Sequence, residues 1–536
     1  MQLTGQAANA APAWRMLTQL AYQFPAVRGE PGFFKQDGLF DLRAALVEDP
    51  TRVQRFSTTL TDDQGLLVHA DFSKAHLDDA VMHALMELAK QQQLPGWRTA
   101  MFQGEKINAT ENRQVMHWML RCLNVVQVPS HLQEEWREMD AVRSAFLQFA
   151  EAVRARDDIT DIVNIGIGGS DLGPRMAVRA LSGYTLPGKR LHFVSNVDGH
   201  EMHDVLQQVR SPKTTLFIVS SKSFTTLETM MNAHTALAWF KAQCGEAQVA
   251  QHFVGITTKV DAAAALGIHT TFGFKDWVGG RYSMWSPIGL PLAIAIGADN
   301  FLAFLQGAHA VDQHFLHTDL AHNLPVQLGL LDVWCSSFLG YTSRSVAPYH
   351  SRLQMLPAYL QQLEMESNGK RSAKDGSLLS YPTSGSIWGE PGSNGQHAFF
   401  QLLHQGPVPT QVEFIAVKQA QHHWQEHHDN LLANALAQAE GLMVGRFDND
   451  PLRECPGNRP STFMLLEALT PRTLGALIAL YEHRVFVAGV VWGINSFDQF
   501  GVELGKKLAL DILPRLQSGD TTGLDASTAD LLRRLR

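Results

Sequence analysis

The sequence predicts an α/β protein made of two units, each a mainly parallel sheet flanked by helices. Short apolar runs such as 162–166 and 215–219 have the length of buried strands. They alternate with longer segments of helical periodicity, which is typical of parallel sheets covered on both faces. At 536 residues the chain is also too long for a single hydrophobic core.

The elements of the first unit, residues 126–285, follow one another with little interruption. After a long helix at 133–156, strands are predicted at 162–166, 191–195, 215–219, 253–256 and, more weakly, 270–274. Helices are predicted between them at 172–181, 202–209, 226–240 and 261–265. Because a helix separates most strands from the next, we expect parallel strands joined by right-handed crossovers.

The flanking segments are less regular. Residues 1–125 are predicted to be mainly helical, with helices at 78–92 and 114–123 around a polar loop at 101–112. A long helical region at 288–339 opens the second unit, residues 286–510, whose strands are predicted at 346–349, 387–388, 411–417 and 461–465. Residues 511–536 contain a polar turn and then a short basic helix.

Composition excludes several classes of partner. The net charge is −8 without a basic stripe, which disfavours nucleic acid and anionic membrane surfaces but leaves room for a small anion. The four cysteines are far apart and form no CxxC pair, as in a reducing compartment. The most apolar stretches, 288–298 and 475–494, are too short or interrupted by charge to span a bilayer, and no secretory signal is seen. We therefore expect a cytoplasmic protein.

A glycine-rich turn follows the first predicted strand, with Gly168, Gly169 and Ser170 before a helix. Glycines at such a turn let backbone N–H groups approach an anion at the positive end of the helix dipole. A dinucleotide fingerprint needs a glycine where Asp171 stands, so dinucleotide binding is disfavoured. The structural alternative is a tight turn that simply requires small residues.

A second anion-seeking loop follows the third predicted strand. Hydroxyls and one ammonium group converge there, from Ser221, Lys222, Ser223, Thr225 and Thr226. Thr225 and Glu228 fit a capping box, which predicts that a helix begins at this point. Serine-rich capping turns are common, but two such loops at the strand ends of one sheet favour a phosphate site.

Glu366 is the candidate base. It ends a run of helical periodicity, and Asn368-Gly369 is a strong signal for the helix to stop. A carboxylate in the last turn meets the negative end of the helix dipole, which makes it a better proton acceptor. Gln362, one helical turn earlier, would face the same side. The alternative is an ordinary solvated acid at a helix end.

Three further side chains could take part in chemistry. Arg281 follows a flexible Gly-Gly turn and is either a structural ion pair or a fixed cation for developing negative charge. His397 is predicted at the start of a helix and Lys506 in the first turn of another, where packing or solvation is the commoner role. The cluster 422–428 places His423 and His427 four residues apart, but without HExxH order or a third ligand we expect no metal site.

Taken together, the motifs resemble those of the phosphoglucose isomerase (glucose-6-phosphate isomerase) family. The resembling stretches are MFQGEKINATE, IVNIGIGGSDLGP, SKSFTTLET, GGRYSMWSPIGLPLAIAIG, MESNGK, NGQHAFFQLLHQG and GINSFDQFGVELGKKLA. The resemblance implies two sugar-isomerase (SIS) domains with a C-terminal arm, assembled as a homodimer. It also implies reversible interconversion of glucose 6-phosphate and fructose 6-phosphate, without metal or organic cofactor.

The resemblance also implies roles for individual residues. Glu366 is similar to the base that moves a proton between C2 and C1, and Arg281 to the arginine that stabilises the enediolate. His397, contributed by the partner subunit, and Lys506 resemble the pair that assists ring opening. The remaining matches are substrate contacts, at Gly169, Ser170, Ser221, Lys222, Ser223, Thr225, Thr226, Gln362 and Gln499.

Departures from the family pattern are confined to positions without a catalytic role. Residues 71–76 only approximate the usual DYSKN, Leu363-Glu364 replaces the commoner Gly-Asp or Gly-Asn, and 342–357 is less typical. Two alternatives stay open: a non-catalytic phosphosugar-binding regulator, and an isomerase that also accepts mannose 6-phosphate. A regulator would need the phosphate loop but not the base, histidine and lysine.

Overall fold

The computed structural model of the chain describes residues 3–27 and 39–536. Contacts divide the chain into two compact units, Met1–Ser496 and Phe497–Arg536. The strands are β1 Ser57–Asp62, β2 Gly65–Asp71, β3 Asp161–Ile165, β4 Arg190–Val194, β5 Thr215–Ser220, β6 Phe253–Ile256, β7 Thr270–Phe272, β8 Ser343–Tyr349, β9 Ser386–Trp388, β10 Gln411–Val417 and β11 Ser461–Leu466.

Helices cover these sheets. They are α1 Pro12–Leu20, α2 Leu42–Glu48, α3 Arg52–Arg55, α4 Asp79–Gln91, α5 Leu94–Phe102, α6 Gln133–Ala155, α7 Leu172–Ala180, α8 Gly199–Gln208, α9 Leu227–Cys244, α10 Val249–His252, α11 Val260–Ala264, α12 Leu290–Ile296, α13 Ala298–His317, α14 Leu324–Val333, α15 Leu356–Leu360, α16 Phe400–Gln405, α17 Gln425–Val444, α18 Pro471–Trp492, α19 Glu503–Ser518 and α20 Ala526–Arg534. The predicted α/β class with parallel sheets is confirmed.

The first sheet is entirely parallel, in the order β4-β3-β5-β6-β7. Every residue of β3 and β5 is buried, as their continuous apolar composition predicts. Phe217 on β5 stacks on Phe253 of β6, with ring centroids 4.6 Å apart. Because β3 and β5 are neighbours, the glycine turn and the serine loop that follow them emerge side by side at one edge of the sheet.

The second sheet is mixed, in the order β1-β2-β11-β10-β8-β9. Strands β8–β11 run parallel, and β2 pairs antiparallel with β11, with Asp71 opposite Phe463. The β1–β2 hairpin lies in the stretch predicted to be mainly helical, and the sequence analysis missed it. Its threonine-rich first strand lacks a clear apolar alternation, and pairing with β11 depends on residues almost 400 positions away.

Two predicted helices differ in the structure. The segment predicted as a helix at 114–123 forms only a short 3-10 helix, His117–Leu120. The long helical region is divided into α12, α13 and α14, and Gly297, with φ of 88°, separates the first two. A glycine can adopt that angle without strain, so the chain turns sharply where an apolar run suggested continuity.

Helix α18 forms the centre of the helical layer and packs against α13 and α14. A Cβ added at Gly475 would lie 1.9 Å from the carbonyl oxygen of Phe304, so the small residue allows α13 and α18 to approach closely. Helix α18 is long and apolar enough to cross a membrane, but its most apolar window is wholly buried within the protein. It is therefore the core helix of this layer.

The helix that carries Glu366 is not regular. It begins as α15, continues through a π-helical turn, Gln361–Glu366, and ends at Asn368, where the amide of Gly369 donates to the carbonyl of Met365 at 2.9 Å. The expected position of Glu366 in the last turn is thus confirmed. The π turn was not predicted, since its one extra residue per turn leaves no mark on apolar periodicity.

The C-terminal unit consists of α19 and α20. No residue of α19 is buried, although Leu504, Leu508 and Leu510 are apolar. Gly519, with φ of 77°, ends α19, and the Asp525 carboxylate accepts from the amides of Ser527 and Thr528 to cap α20. This unit therefore exposes unusual apolar surface for its size.

Candidate active site

The glycine turn makes a close contact that only glycine permits. A Cβ added at Gly169 would lie 1.9 Å from the carbonyl oxygen of Gly280, so the turn is pressed against the 3-10 helix Gly280–Tyr282. Asn164 links the two loops, because its amide donates to the carbonyl of Ser170 at 3.0 Å and its oxygen accepts from the Ser220 hydroxyl at 3.1 Å. Ser170 is thereby placed beside the end of β5.

Asp171, which occupies the position of a third glycine, has a structural partner. Its carboxylate accepts from Arg175 Nε at 2.9 Å, one helical turn further on. Burial raises the pKa of Asp171 to about 6, against the opposing effect of the guanidinium.

The serine loop is held by its own hydroxyls. Ser221 Oγ accepts from the amide of Phe224 at 3.1 Å and donates to Thr226 Oγ1 at 3.3 Å. The expected capping box is wrong: α9 begins at Leu227, Thr226 is the N-cap without a side-chain cap, and Thr225 Oγ1 donates to Ser223 Oγ at 2.8 Å instead. Ser223 and Thr225 are exposed, so the loop presents hydroxyls near the positive end of α9.

Lys222 connects this loop to the segment that carries Arg281. Its Nζ donates to the carbonyls of Asp276 at 2.7 Å and Val278 at 3.4 Å, and it lies 5.7 Å from the centroid of the Phe274 ring. Burial lowers the pKa of Lys222 to about 8. The serine loop, the glycine turn and Arg281 therefore form one contiguous region.

Arg281 is buried and its orientation is fixed on three sides. Its Nε donates to Ser367 Oγ at 2.7 Å, its Nη2 donates to the carbonyl of Ser496 at 2.6 Å, and its Nη1 lies 3.6 Å from Glu366 Oε2. The Glu366 side chain keeps 20% of its surface exposed, whereas that of Arg281 keeps 3%. A buried cation thus faces a carboxylate that remains accessible to a ligand.

Gln362 completes this side of the region. A Cβ added at Gly168 would lie 3.1 Å from Gln362 Nε2, which places the amide against the glycine turn. Its Oε1 is buried without a hydrogen-bond partner among the described residues. A buried acceptor of this kind is suited to a ligand that brings its own donor, such as a sugar hydroxyl.

The remaining predicted residues lie on other segments of the chain. His397 is exposed on the 3-10 helix Asn394–His397 and forms no hydrogen bond or ion pair with the part of the chain described. Lys506 lies in the exposed first turn of α19, and Gln499 lies shortly before it, both within the C-terminal unit. Their roles stay predictions.

Sequence reasoning missed the residues that hold Arg281. Ser367 and Ser496 supply neutral acceptors, and the hydroxyl of Ser496 donates to Asn368 Oδ1 at 2.6 Å. A Cβ added at Gly489 would lie 1.9 Å from Ser496 Oγ, so α18 carries a glycine there. Ser367 and Asn368 directly follow Glu366 in the MESNGK stretch, which is the signal that could have found them.

The histidine cluster shows no metal geometry. His423 precedes α17 and His427 lies in its exposed first turns, so the expected helical spacing is incomplete. Within residues 3–27 and 39–536, no three histidine, cysteine or carboxylate side chains are grouped to hold an ion.

Comparisons with known proteins show relatives along nearly the whole chain. Residues 71–532 match the family model described as phosphoglucose isomerase. A curated relative from Albidiferax ferrireducens, named glucose-6-phosphate isomerase, is 59% identical over 98% of each chain, and one of that name from Mesorhizobium japonicum is 49% identical over 92% of this chain and 94% of its own.

A solved structure extends the likeness to the fold. The glucose-6-phosphate isomerase of Chlamydia trachomatis superposes with a TM-score of 0.87 at 31% identity, over 99% of this chain and 100% of the other. The family model covers most of the chain, and the relatives match it almost end to end. The chain belongs to the phosphoglucose isomerase family.

Proposed function

We propose that this protein reversibly isomerises glucose 6-phosphate and fructose 6-phosphate. The observation that supports it most is the pairing of buried Arg281 with accessible Glu366 beside two anion-seeking loops. The relatives that match nearly the whole chain are named for the same reaction. We further propose a cytoplasmic role in glycolysis and gluconeogenesis.

The phosphate would be bound at the carboxyl edge of the first sheet. Gly169 and Ser170 would contribute backbone and hydroxyl donors from the turn after β3. The serine loop after the neighbouring β5 would contribute Ser221, Lys222, Ser223, Thr225 and Thr226. The positive end of α9 adds its dipole. Binding energy from the phosphate, remote from the reacting carbons, would hold C1 and C2 in place for proton transfer.

Glu366 then acts as the base. Its carboxylate removes the proton from C2 of the open-chain aldose, the electron pair forms the C1–C2 double bond, and the C1 oxygen takes up negative charge. Arg281 faces that charge, and a fixed cation stabilises it without reorganisation. Return of the proton to C1, with transfer of the O2 proton to O1, gives the ketose. The residues proposed for this chemistry require no metal or organic cofactor.

Ring opening would require a second pair of groups. We assign it to His397 and Lys506, with His397 contributed by the partner subunit of a homodimer and Gln499 as a further substrate contact. The exposure of His397 and the absence of a hydrogen bond to it within the described chain support a role across an interface. Exposed leucines on α19 are consistent with an arm that packs on another chain.

A coupled assay with fructose 6-phosphate tests the proposal. We expect wild-type turnover and a loss of about 10³-fold or more in kcat for Glu366→Gln, since a general base is removed while the shape is kept. A non-reacting sugar phosphate should still inhibit the variant's residual turnover or protect it thermally. Full activity in Glu366→Gln contradicts the assignment of the base.

The assay also separates the alternatives. A phosphosugar-binding regulator would bind fructose 6-phosphate without turnover. Assay of the same preparation with mannose 6-phosphate measures how strictly the enzyme selects the configuration at C2. Conversion at a kcat/KM comparable to that for fructose 6-phosphate would broaden the substrate class.

A further inference from the structure

One of the groups that orient Arg281 is the buried hydroxyl of Ser367, which also contacts Tyr282. Ser367 Oγ accepts from Arg281 Nε at 2.7 Å and lies 2.9 Å from the hydroxyl of Tyr282. Ser367 directly follows Glu366, and Tyr282 directly follows Arg281. One buried oxygen therefore connects the segment that carries the base to the segment that carries the cation.

The position of the Tyr282 ring is fixed by other buried side chains. Its ring stacks on His117 with centroids 4.6 Å apart and an interplanar angle of 19°. His117 Nε2 lies 3.6 Å from Glu482 Oε2, and Glu482 is bound by Trp285 Nε1 at 2.8 Å and by Arg121. Because these side chains are fully buried, they hold the Tyr282 ring in place. The Tyr282 hydroxyl can therefore hold Ser367 Oγ in position.

The contact between Arg281 and Glu366 differs from that of an optimal ion pair. A bidentate arginine–carboxylate pair has two contacts near 2.8 Å, whereas here one nitrogen approaches one oxygen at 3.6 Å. Arg281 Nε and Nη2 donate to neutral oxygens, which do not neutralise the charge of the guanidinium. These hydrogen bonds also hold the guanidinium away from the Glu366 carboxylate. The gap lets the cation act on a substrate oxygen instead.

We propose that Ser367, supported by Tyr282, is a positioning residue that holds Arg281 at a distance from Glu366 suited to the developing enediolate. This inference rests on the proposed isomerase activity. Loss of the Ser367 hydroxyl leaves Arg281 Nε without this acceptor, and the Glu366 carboxylate lies 3.6 Å from Nη1 of the same guanidinium. The transition state then loses a preorganised cation, while phosphate binding elsewhere is unchanged.

Steady-state kinetics with fructose 6-phosphate test the inference. For Ser367→Ala we expect kcat to fall about 30- to 100-fold with KM within about threefold, because the contact matters only in the transition state. For Tyr282→Phe, which keeps the ring on His117, we expect a fall of about three- to tenfold. The double variant should lose at least as much activity as Ser367→Ala, because the Tyr282 hydroxyl contacts both Ser367 and Arg281.

Tyr359→Phe is the matched control. The Tyr359 hydroxyl is also buried but has no hydrogen-bond partner among the described residues, so its removal should leave kcat within about twofold. Ser367→Cys keeps a weak acceptor and should recover part of the activity lost in Ser367→Ala.

Two outcomes overturn the inference: unchanged kcat in Ser367→Ala, or a loss confined to KM. If Ser367→Ala does not fold, the comparison of Tyr282→Phe with the control Tyr359→Phe decides the question. Equal kcat values for these two variants reject the inference. Absence of turnover in the wild type would instead reject the proposed function.

Discussion

At the scale of single residues, Gly169 sets the distance between the proposed phosphate region and the proposed catalytic pair, Arg281 and Glu366. Its missing side chain lets the turn after β3 touch the backbone of Gly280, immediately before Arg281. The glycine-rich pattern predicted a turn for an anion. It did not predict that the turn would also be the packing surface of the arginine segment.

Substitution of Gly169 tests this contact. In Gly169→Ala the new Cβ would lie 1.9 Å from one backbone atom and 2.1 Å from another, neither of which can rotate away. We expect kcat/KM to fall about 10²-fold or more, since displacement by about 1 Å has such effects. The loss of unfolding free energy should be roughly 1–3 kcal/mol.

Gly199→Ala is the control, because Gly199 begins α8 with nothing within 4 Å of its added Cβ. Its kcat/KM and thermal midpoint should match those of the wild type. An active Gly169→Ala enzyme would mean that the turn can retreat without disturbing Arg281.

At the scale of elements, the helix that ends at Asn368 has carboxylates on two sides. Glu366 faces Arg281, and Glu364 points instead into a fully buried cluster where it is bound by Arg344. The facing groups come from α14, β8, β10 and α18 and are Asp332, Arg344, Glu413 and Arg484. Three acids thus oppose two guanidinium groups, and the helix is anchored from behind the site.

Because carboxyl groups outnumber guanidinium groups in this cluster, the free energy of unfolding depends on pH. Burial raises the pKa of Glu364 to about 7, although Arg344 and Arg484 oppose the shift. The folded state therefore binds the proton more tightly than the unfolded state does. The resulting stabilisation is present below the unfolded value near 4.5 and is lost as pH rises towards about 7.

Glu364→Gln should remove this dependence. The variant leaves two acids against two guanidinium groups, and Arg344 keeps its bond to Asp332 at 2.6 Å. At pH 8 we expect it to exceed the wild type in unfolding free energy by roughly 1–3 kcal/mol, with a smaller difference at pH 5. Urea unfolding at fixed protein concentration measures both, with Glu364→Asp as the control that still titrates. A wild-type pH slope in Glu364→Gln contradicts the assignment.

At the scale of the whole molecule, the proposed dimer makes a prediction that a single chain cannot satisfy. If His397 acts in the site of the partner subunit, a dimer of one Glu366→Gln chain and one His397→Ala chain has one doubly damaged site and one intact site. Co-expression of the two inactive variants should restore about a quarter of the wild-type activity, because half of the dimers are mixed and half of their sites are intact.

Each variant expressed alone is the control, and a tag on one chain isolates the mixed dimer. If the mixed dimer is no more active than the separate variants, His397 and Glu366 act in the active site of the same chain. A monomeric protein in sedimentation would likewise reject the partner contribution.

Local sequence determined most of the elements that form. The apolar runs of β3, β5 and β10 act within a few residues, so the type and position of these strands were predictable. The motifs that resemble the family also identified Glu366, Arg281 and the phosphate loop. These signals are local because burial and turn formation are decided by neighbours along the chain.

The tertiary structure alone decided how distant segments meet. Four contacts join positions 20 to about 400 residues apart. They are the pairing of the N-terminal hairpin with β11, the packing of Gly169 on Gly280, the hydrogen bond between Arg281 and Ser367, and the burial of Glu364 against Arg344. No periodicity encodes such contacts, because they arise only when whole elements pack and leave each polar group with the partner that packing provides. Arg281 becomes a site residue for that reason, since its neighbours in space, not those in sequence, fix its direction.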